Sequence, residues 1–193
     1  MEDIILENEI IKLRPVQLSD IEAITDAAND ERIWEHMSVT LLSKEAVQNY
    51  IENAIKERDK SVSFLFAVIY KKTDKIVGCT SFLDISFPHK RLEIGATWYN
   101  PSVWRTSINT NCKFLLFQYC FEVLKLNRIQ IKTGHENDRS QKAIERIGAV
   151  KEGVLRNHMI RKEGTIRHTV MYSVISEDWE KLKAKFMERL LKY

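Results

Sequence analysis

The amino-acid sequence predicts a mixed α/β fold in which helices cover the faces of a central β-sheet. Two kinds of pattern indicate this. Some segments alternate apolar and polar residues, as strands do, and others repeat apolar residues every three or four positions, as amphipathic helices do. The predicted order is strand, two helices, three strands, helix, strand, helix, two strands and a terminal helix. A chain of 193 residues can bury one sizeable core, so we expect a single domain over residues 1–193.

The first part of the chain supplies a strand and two helices. Ile10–Val16 alternates apolar and polar residues, and a helix is predicted from about Ser19 to Asn29. A second helical run opens at Ser43. Residues 30–42, between the two helices, have no regular period and form a candidate substrate loop. Either this loop lines an acceptor cleft with an apolar floor and carboxylates, or it is an ordinary solvated loop; the residues concerned are Trp34, Met37, Asp30, Glu31 and Glu35.

Three consecutive strands and a long helix follow. Ser63–Tyr70, Ile76–Phe87 and Arg91–Tyr99 are strand-like and are joined by short polar turns, so we expect them to pair antiparallel. Apolar residues between Cys112 and Leu124 then recur at three- and four-residue steps, which predicts an amphipathic helix.

The last part of the chain predicts three strands and two helices. Arg128–Thr133 is a short strand, and Ser140–Ile147 is a short helix that ends before a glycine. Val150–Arg156 and Thr169–Ile175 form a final strand pair. From Glu177 onward, apolar residues on one helical face would dock on the sheet or on a second subunit, which leaves a homodimer open; these residues are Trp179, Leu182, Phe186 and Leu190.

Composition excludes several classes of function. Lys and Arg number 30 against 27 Asp and Glu, and the basic residues are scattered, so we expect no nucleic-acid partner. The N-terminus lacks the features of a signal peptide and no run is long enough to span a membrane, so the expected location is cytoplasmic without membrane association. The three cysteines lie in apolar segments, as reduced core residues do, and the five histidines share no ligand spacing, so we expect no metal site.

The segment from Asn100 to Cys120 is a candidate anion site. A polar loop there opens directly into the long helix, whose first turn presents unpaired backbone N–H groups and the positive end of the helix dipole. A pyrophosphate would fit beside the guanidinium and hydroxyl groups of this loop. Alternatively, Asn109 or Thr110 simply caps the helix. The groups that would bind the anion belong to Arg105, Thr106, Ser107 and Thr110.

Two linked motifs resemble the GNAT acetyltransferase superfamily, in particular the branch of ribosomal-protein-alanine and -serine N-acetyltransferases. The first is the segment Leu-Glu-Ile-Gly at Leu92–Gly95. The second is Asn-x-x-Ser followed by a helix that ends in glycine, and the resemblance extends from Ile10 to Ile175. The family's pyrophosphate loop has the pattern Gln/Arg-x-x-Gly-x-Gly/Ala, from which this chain departs at Trp104, Ser107 and Asn109. The second motif is carried by Asn137, Ser140, Gly148 and Ala149.

The resemblance implies acetyl-CoA as co-substrate and a mostly antiparallel sheet whose two central parallel strands, Arg91–Tyr99 and Arg128–Thr133, splay apart to admit the pantetheine arm. Asn137 would bind that arm, and Ser140 would lie near the departing sulfur. The remaining cofactor-binding residues are then Ile94, Gly95 and Ala96, whose N–H groups would polarise the thioester carbonyl, and Trp104, Arg105, Thr106, Ser107, Ile108, Asn109 and Thr110 in the loop.

Acetyl transfer to an amine needs a neutral amine, a polarised carbonyl and a donor for the departing sulfur. Glu93 is the candidate base, directly or through a water, unless it is a solvent-facing strand residue. Ser140 is the candidate donor, and it could also cap the helix Gln141–Ile147. The predicted function is acetyl transfer by direct attack of an amine, either a protein N-terminus or a small-molecule amine. The alternative is a non-catalytic acyl-CoA-binding or self-associating module of the same fold.

Overall fold

A computed structural model describes residues 4–161 and 163–190. Within them, one sheet holds eight strands in the order β1-β2-β3-β4-β5-β6-β8-β7. The α-helices of this part of the chain are α1 (Ile21–Ala28), α2 (Lys44–Asp59), α3 (Ile108–Gln118), α4 (Asp138–Arg146) and α5 (Trp179–Leu190). The strands are β1 (Leu6–Glu7), β2 (Ile11–Pro15), β3 (Phe64–Tyr70), β4 (Lys75–Ser86), β5 (Arg91–Tyr99), β6 (Arg128–Gly134), β7 (Val150–Ile160) and β8 (Ile166–Ile175).

The predicted mixed α/β fold is confirmed, and each predicted strand and helix has a counterpart in the observed order. Two differences arise at the edges of the sheet. A short additional strand, β1, pairs with β2, and β7 extends to Ile160, beyond the predicted end at Arg156. Both strands lie at sheet edges, where the apolar pattern is weakest because neighbours cover only one side of each strand.

Helices pack on both faces of the sheet. The α3 face carries α3, α4 and α5 over an apolar core that includes Phe82, Leu92 and Ile94. The α1 face carries α1 and α2 over a second core that includes Cys79 and Trp98. Among the described residues, the second core contains none from β6, β7 or β8, and β6 presents the polar side chains of Gln130 and Lys132 to the α1 face there.

The terminal helix α5 docks on its own chain. Trp179, Leu182 and Phe186 are buried, and the Phe186 ring lies 5.8 Å from the rings of Phe114 and Phe117 on α3. The apolar face of α5, which could have docked on the sheet or on a second subunit, is therefore covered within the same chain. None of the described helices is both long and apolar enough to cross a bilayer.

The central parallel strands part after three residue pairs. Strands β5 and β6 pair from Arg91 to Glu93 only, after which β5 continues beside β4 and β6 continues beside β8. Ala96 adopts a left-handed φ of 46°, and the β4–β5 register shifts close by, as in a β-bulge. This bend turns β5 away from β6, so the predicted splayed pair of parallel strands is confirmed.

Candidate functional site

The polar loop before α3 ends in a helix N-terminus without a conventional side-chain cap. Helix α3 begins at Ile108, and Ser107 is its N-cap residue but makes no capping hydrogen bond. Instead, Thr106 Oγ1 accepts a hydrogen bond from the Ile108 N–H at 3.3 Å and donates to the Val103 carbonyl at 2.7 Å. Asn109 and Thr110 lie inside the first turn, so the alternative that either of them caps α3 is wrong.

Trp104 connects this loop to three other parts of the site. Its indole Nε1 donates to the Tyr99 carbonyl at 2.8 Å, which fixes the ring at the end of β5. The Arg139 guanidinium of α4 lies 4.2 Å from the ring centroid, and that of Arg32, from the predicted substrate loop, lies 5.8 Å away. Arg105 is exposed and has a left-handed φ of 62°, a backbone conformation that favours glycine.

The N-terminus of α4 lies on the same face of the sheet as α3. Asn137 caps α4, because its Oδ1 accepts a hydrogen bond from the Ser140 N–H at 3.0 Å. Ser140 is therefore the third residue of the helix, and the alternative that it is the N-cap is wrong. Within the described chain, the Asn137 Nδ2 and Ser140 Oγ atoms make no hydrogen bond, which leaves a donor and a hydroxyl for a ligand.

Glu93 is buried at the point where β5 and β6 part, with 6% of its surface exposed. Its Oε2 lies 2.5 Å from Lys132 Nζ and accepts a hydrogen bond from Gln130 Nε2 at 3.2 Å. The alternative of a solvent-facing strand residue is therefore wrong. A Cβ at Gly95 would lie 2.8 Å from Glu93 Oε1, so a side chain at position 95 would displace the carboxylate from its present position.

Gln130 and Lys132 could not be recognised as site residues from the sequence. Both are the polar members of an alternating strand, which is the ordinary pattern of a half-buried β-strand. Only the parallel register, which places Glu93 opposite Gln130, brings them to the carboxylate.

Different functional groups lie on the two faces of the gap between β5 and β6. Because Leu92 and Ile94 face the α3 core, strand alternation directs Glu93 to the α1 face. The N-termini of α3 and α4 lie on the α3 face, with their N–H groups and hydroxyls. Between the two faces lies the edge of β5 at Ile94, Gly95 and Ala96. In the described ladder, no residue of β6 pairs with β5 there. Two molecules could thus meet in the gap from opposite faces.

Lys113 is a buried cation beside the gap and was also missed, because it lies within the apolar stripe of α3. Its Nζ donates to Thr97 Oγ1 at 3.0 Å, and that hydroxyl lies 2.8 Å from Thr80 Oγ1. Burial lowers the pKa of Lys113 to about 8. No carboxylate of the described residues forms an ion pair with it.

The remaining sequence predictions have mixed outcomes. Trp34 packs in the core, 5.3 Å from the Trp98 ring, instead of lining a cleft. The rings of His135 and His168 lie 4.6 Å apart, a proximity that their sequence spacing does not suggest. Over the described part of the chain, no group of histidine, cysteine and acidic residues could hold a metal ion. The cysteines are free and buried, as predicted: Cys79, Cys112 and Cys120.

The sheet is mixed and has two parted parallel strands beside a helix N-terminus, and comparisons with known proteins identify the family of this chain. A family model described as an acetyltransferase (GNAT) domain matches residues 11–150. The chain therefore belongs to the GNAT acetyltransferase family, which confirms the resemblance seen in its motifs, and it is an acyltransferase.

Similar proteins cover nearly the whole chain. The uncharacterized N-acetyltransferase p20 of Bacillus licheniformis is 25% identical over 90% of this chain and 97% of its own length. A GCN5-related N-acetyltransferase of Brucella melitensis superimposes with a TM-score of 0.91 at 27% identity, covering 97% of this chain and 86% of that one. A ribosomal-protein-S5-alanine acetyltransferase of Vibrio fischeri shares the fold, with a TM-score of 0.72 at 22% identity, covering 92% and 99% of the two chains.

Proposed function

We propose that this acyltransferase is a single-domain enzyme over residues 1–193 that transfers the acetyl group of acetyl-CoA to a primary amine by direct attack. The observation that carries the proposal is the β5–β6 gap, which has the buried carboxylate of Glu93 on one face and the N-termini of α3 and α4 on the other. No nucleophilic side chain is needed, so we propose no covalent enzyme intermediate.

The residues at the gap fit coenzyme A. The first turn of α3 offers N–H groups and a dipole for a diphosphate, and Arg105 is exposed beside it. The free edge of β5 and the Asn137 Nδ2 offer hydrogen bonds to the amides of a pantetheine arm. Acetyl-CoA would supply an activated acetyl group as a thioester. The loop that would hold the diphosphate consists of Trp104, Arg105, Thr106, Ser107, Ile108, Asn109 and Thr110.

Each remaining requirement of the reaction has a candidate group. Glu93 takes the proton of the attacking amine, directly or through a water, while Lys132 and Gln130 hold its carboxylate in place. The N–H groups of Ile94, Gly95 and Ala96 polarise the carbonyl. The Ser140 hydroxyl, which has no other partner in the described chain, donates to the departing sulfur.

The acceptor is either a protein N-terminus or a small-molecule amine. Incubation with acetyl-CoA and two panels, peptides with free N-termini and small amines, tests the proposal by the release of coenzyme A thiol and the mass of the product. Acetylated product in either panel supports it. If acetyl-CoA binds but no acceptor is acetylated, the non-catalytic acyl-CoA-binding module replaces the enzyme.

A further inference from the structure

Arg167 of β8 lies on the wall of the gap, on the same face as Glu93. Val170 and Tyr172 of β8 face the α3 core, so strand alternation directs Arg167 to the α1 face. The side chain lies across β6 at Gly134, where a Cβ would be 3.4 Å from its Nε and 4.0 Å from its Cζ. The guanidinium therefore lies over β6 at Gly134, at ordinary contact distance.

This position is close to the proposed base. Lys132, which holds Glu93, precedes Gly134 by two residues on the same face of β6, a separation of roughly 6–7 Å along a strand. The carboxylate of Glu93 also acts electrostatically on Arg167. An acceptor whose amine meets Glu93 therefore passes within reach of the Arg167 guanidinium.

Arg167 is half-buried, and one of its guanidinium donors has no partner in the described chain. Its Nε is hidden from solvent and has no hydrogen-bond acceptor among the described residues. The neighbouring cations on this wall are already paired, Lys132 with Glu93 and Arg161 with Glu136. Burial, followed by the repulsion of Arg161, lowers the pKa of Arg167. An unpaired, partly desolvated guanidinium is costly to the fold, and an incoming anion would satisfy it.

We propose that Arg167 binds a carboxylate of the acceptor, so that the substrate is an amine with a carboxylate a few bonds away. This inference rests on the proposed acetyl transfer to an amine. A guanidinium presents parallel N–H donors that match the two oxygens of a carboxylate. The carboxylate belongs to a free amino acid or to an acidic residue next to a peptide N-terminus, and both sources offer the same chemistry to Arg167.

Matched acceptor pairs test the proposal. β-Alanine and β-alaninamide differ only in the carboxylate, as do the amidated peptides Ser-Asp-Ala-Ala and Ser-Asn-Ala-Ala. We expect the carboxylate member of the productive pair to have a kcat/KM about 10- to 100-fold higher, mainly through KM. Arg167→Gln should abolish this preference. The matched control, Arg156→Gln, replaces an exposed arginine of β7 and should retain it.

A second measurement needs no turnover. Glutarate, titrated by calorimetry in the absence of any amine, should bind the unmodified protein and Arg156→Gln alike, and Arg167→Gln at least about tenfold more weakly. Failure of glutarate to bind, or equal binding to all three proteins, overturns the carboxylate site. So does equal kcat/KM within every productive pair, or a preference for phosphoserine over both Asp and Asn in the peptide. If glutarate binds through Arg167 but no amine is acetylated, the proposed function fails and the carboxylate site stands.

Discussion

Glu93 is the buried member of an ion pair with the half-buried Lys132 at the centre of the proposed site, and its role as the base can be measured. Glu93→Gln keeps the size and hydrogen bonds of the side chain but removes the base. We expect acetyl-CoA affinity to hold while turnover falls roughly 100-fold or more near neutral pH. Higher pH should restore part of the rate, because more of the acceptor amine is already neutral. The pH–rate profile with one verified acceptor measures this.

The matched control for Glu93→Gln is Asp84→Asn. Asp84 is a neighbouring carboxylate that also accepts a hydrogen bond from Gln130 Nε2, at 3.2 Å, but it is more exposed. Its variant should turn over at close to the normal rate. A Glu93→Gln profile that coincides with that of the unmodified enzyme would transfer the role of base to another group or to a water chain.

Lys113 predicts an unusual dependence of stability on pH. Burial lowers its pKa to about 8, below the ordinary 10.5, so folding disfavours the charged form. The resulting penalty is complete below pH 8 and disappears as the pH rises to 10.5, where the unfolded chain also loses the proton. Lys113→Met should therefore raise the melting temperature at pH 7, by an amount that shrinks between pH 8 and 10.5. A gain that is constant with pH would mean that folding does not lower the pKa of Lys113.

At the N-terminus of α4, helix capping and the proposed proton donation belong to different residues. Asn137 caps the helix, and Ser140 does not. Asn137→Ala should cost about 1 kcal/mol of unfolding free energy. Ser140→Ala should cost little stability but lower turnover in a way that high pH rescues poorly, because the departing sulfur still lacks a donor. Urea unfolding and the pH–rate profile of both variants measure the two effects. Equal destabilisation by both would contradict the capping geometry.

At the scale of the elements, one carboxylate links three strands. Glu152 of β7 receives both guanidinium donors of Arg128, from β6, at 2.5 Å, and the Ser173 hydroxyl, from β8, at 2.8 Å. The hydrogen bonds of Arg128, chiefly, lower the pKa of Glu152 to about 2. The ion pair thus joins the edge strand β7 to β6, which bounds the gap. Because the pair is partly exposed, its contribution to the free energy of unfolding is small.

This linkage predicts how acid unfolds the protein. A lowered carboxyl pKa contributes stability that is complete above the unfolded value of 4.5 and is lost as the pH falls towards 2. Arg128→Met should therefore melt at a lower temperature than the unmodified protein at pH 7, and the two should converge near pH 2. Thermal melts across this range measure the difference. A gap that persists at pH 2 would indicate lost packing instead of a lost ion pair.

At the scale of the whole molecule, the proposed cofactor should stabilise the native state. A ligand that binds only the folded protein adds about 2.7 kcal/mol at a hundredfold excess over its dissociation constant. Acetyl-CoA and coenzyme A should therefore raise the melting temperature, whereas NAD, which carries a diphosphate but no pantetheine arm, should change it little. An unmoved melting temperature at millimolar acetyl-CoA would remove the cofactor from the proposal.

The order and type of the elements could be predicted from the sequence, because each depends on a local period. The continuous apolar run of β3, the stripe of α3 and the apolar surroundings of the cysteines are all expressed within a few neighbouring residues. The apolar face of α5 was equally evident from the sequence, but the element on which this face packs was not. That it packs on α3 depends on residues far away in the sequence.

The sequence by itself determined the fold class, the family and the segments that carry the candidate site. Only the tertiary structure decided the neighbours of each functional group: Glu93 faces Lys132 instead of solvent, and Arg167 lies over Gly134. The physical reason is that the apolar pattern of a segment shows which face of its own strand or helix a residue occupies. Contact between elements depends instead on strand register and on where the chain bends. The turn at Ala96, which opens the gap, has a positive φ. Alanine rarely adopts such a φ, so the sequence does not predict the turn.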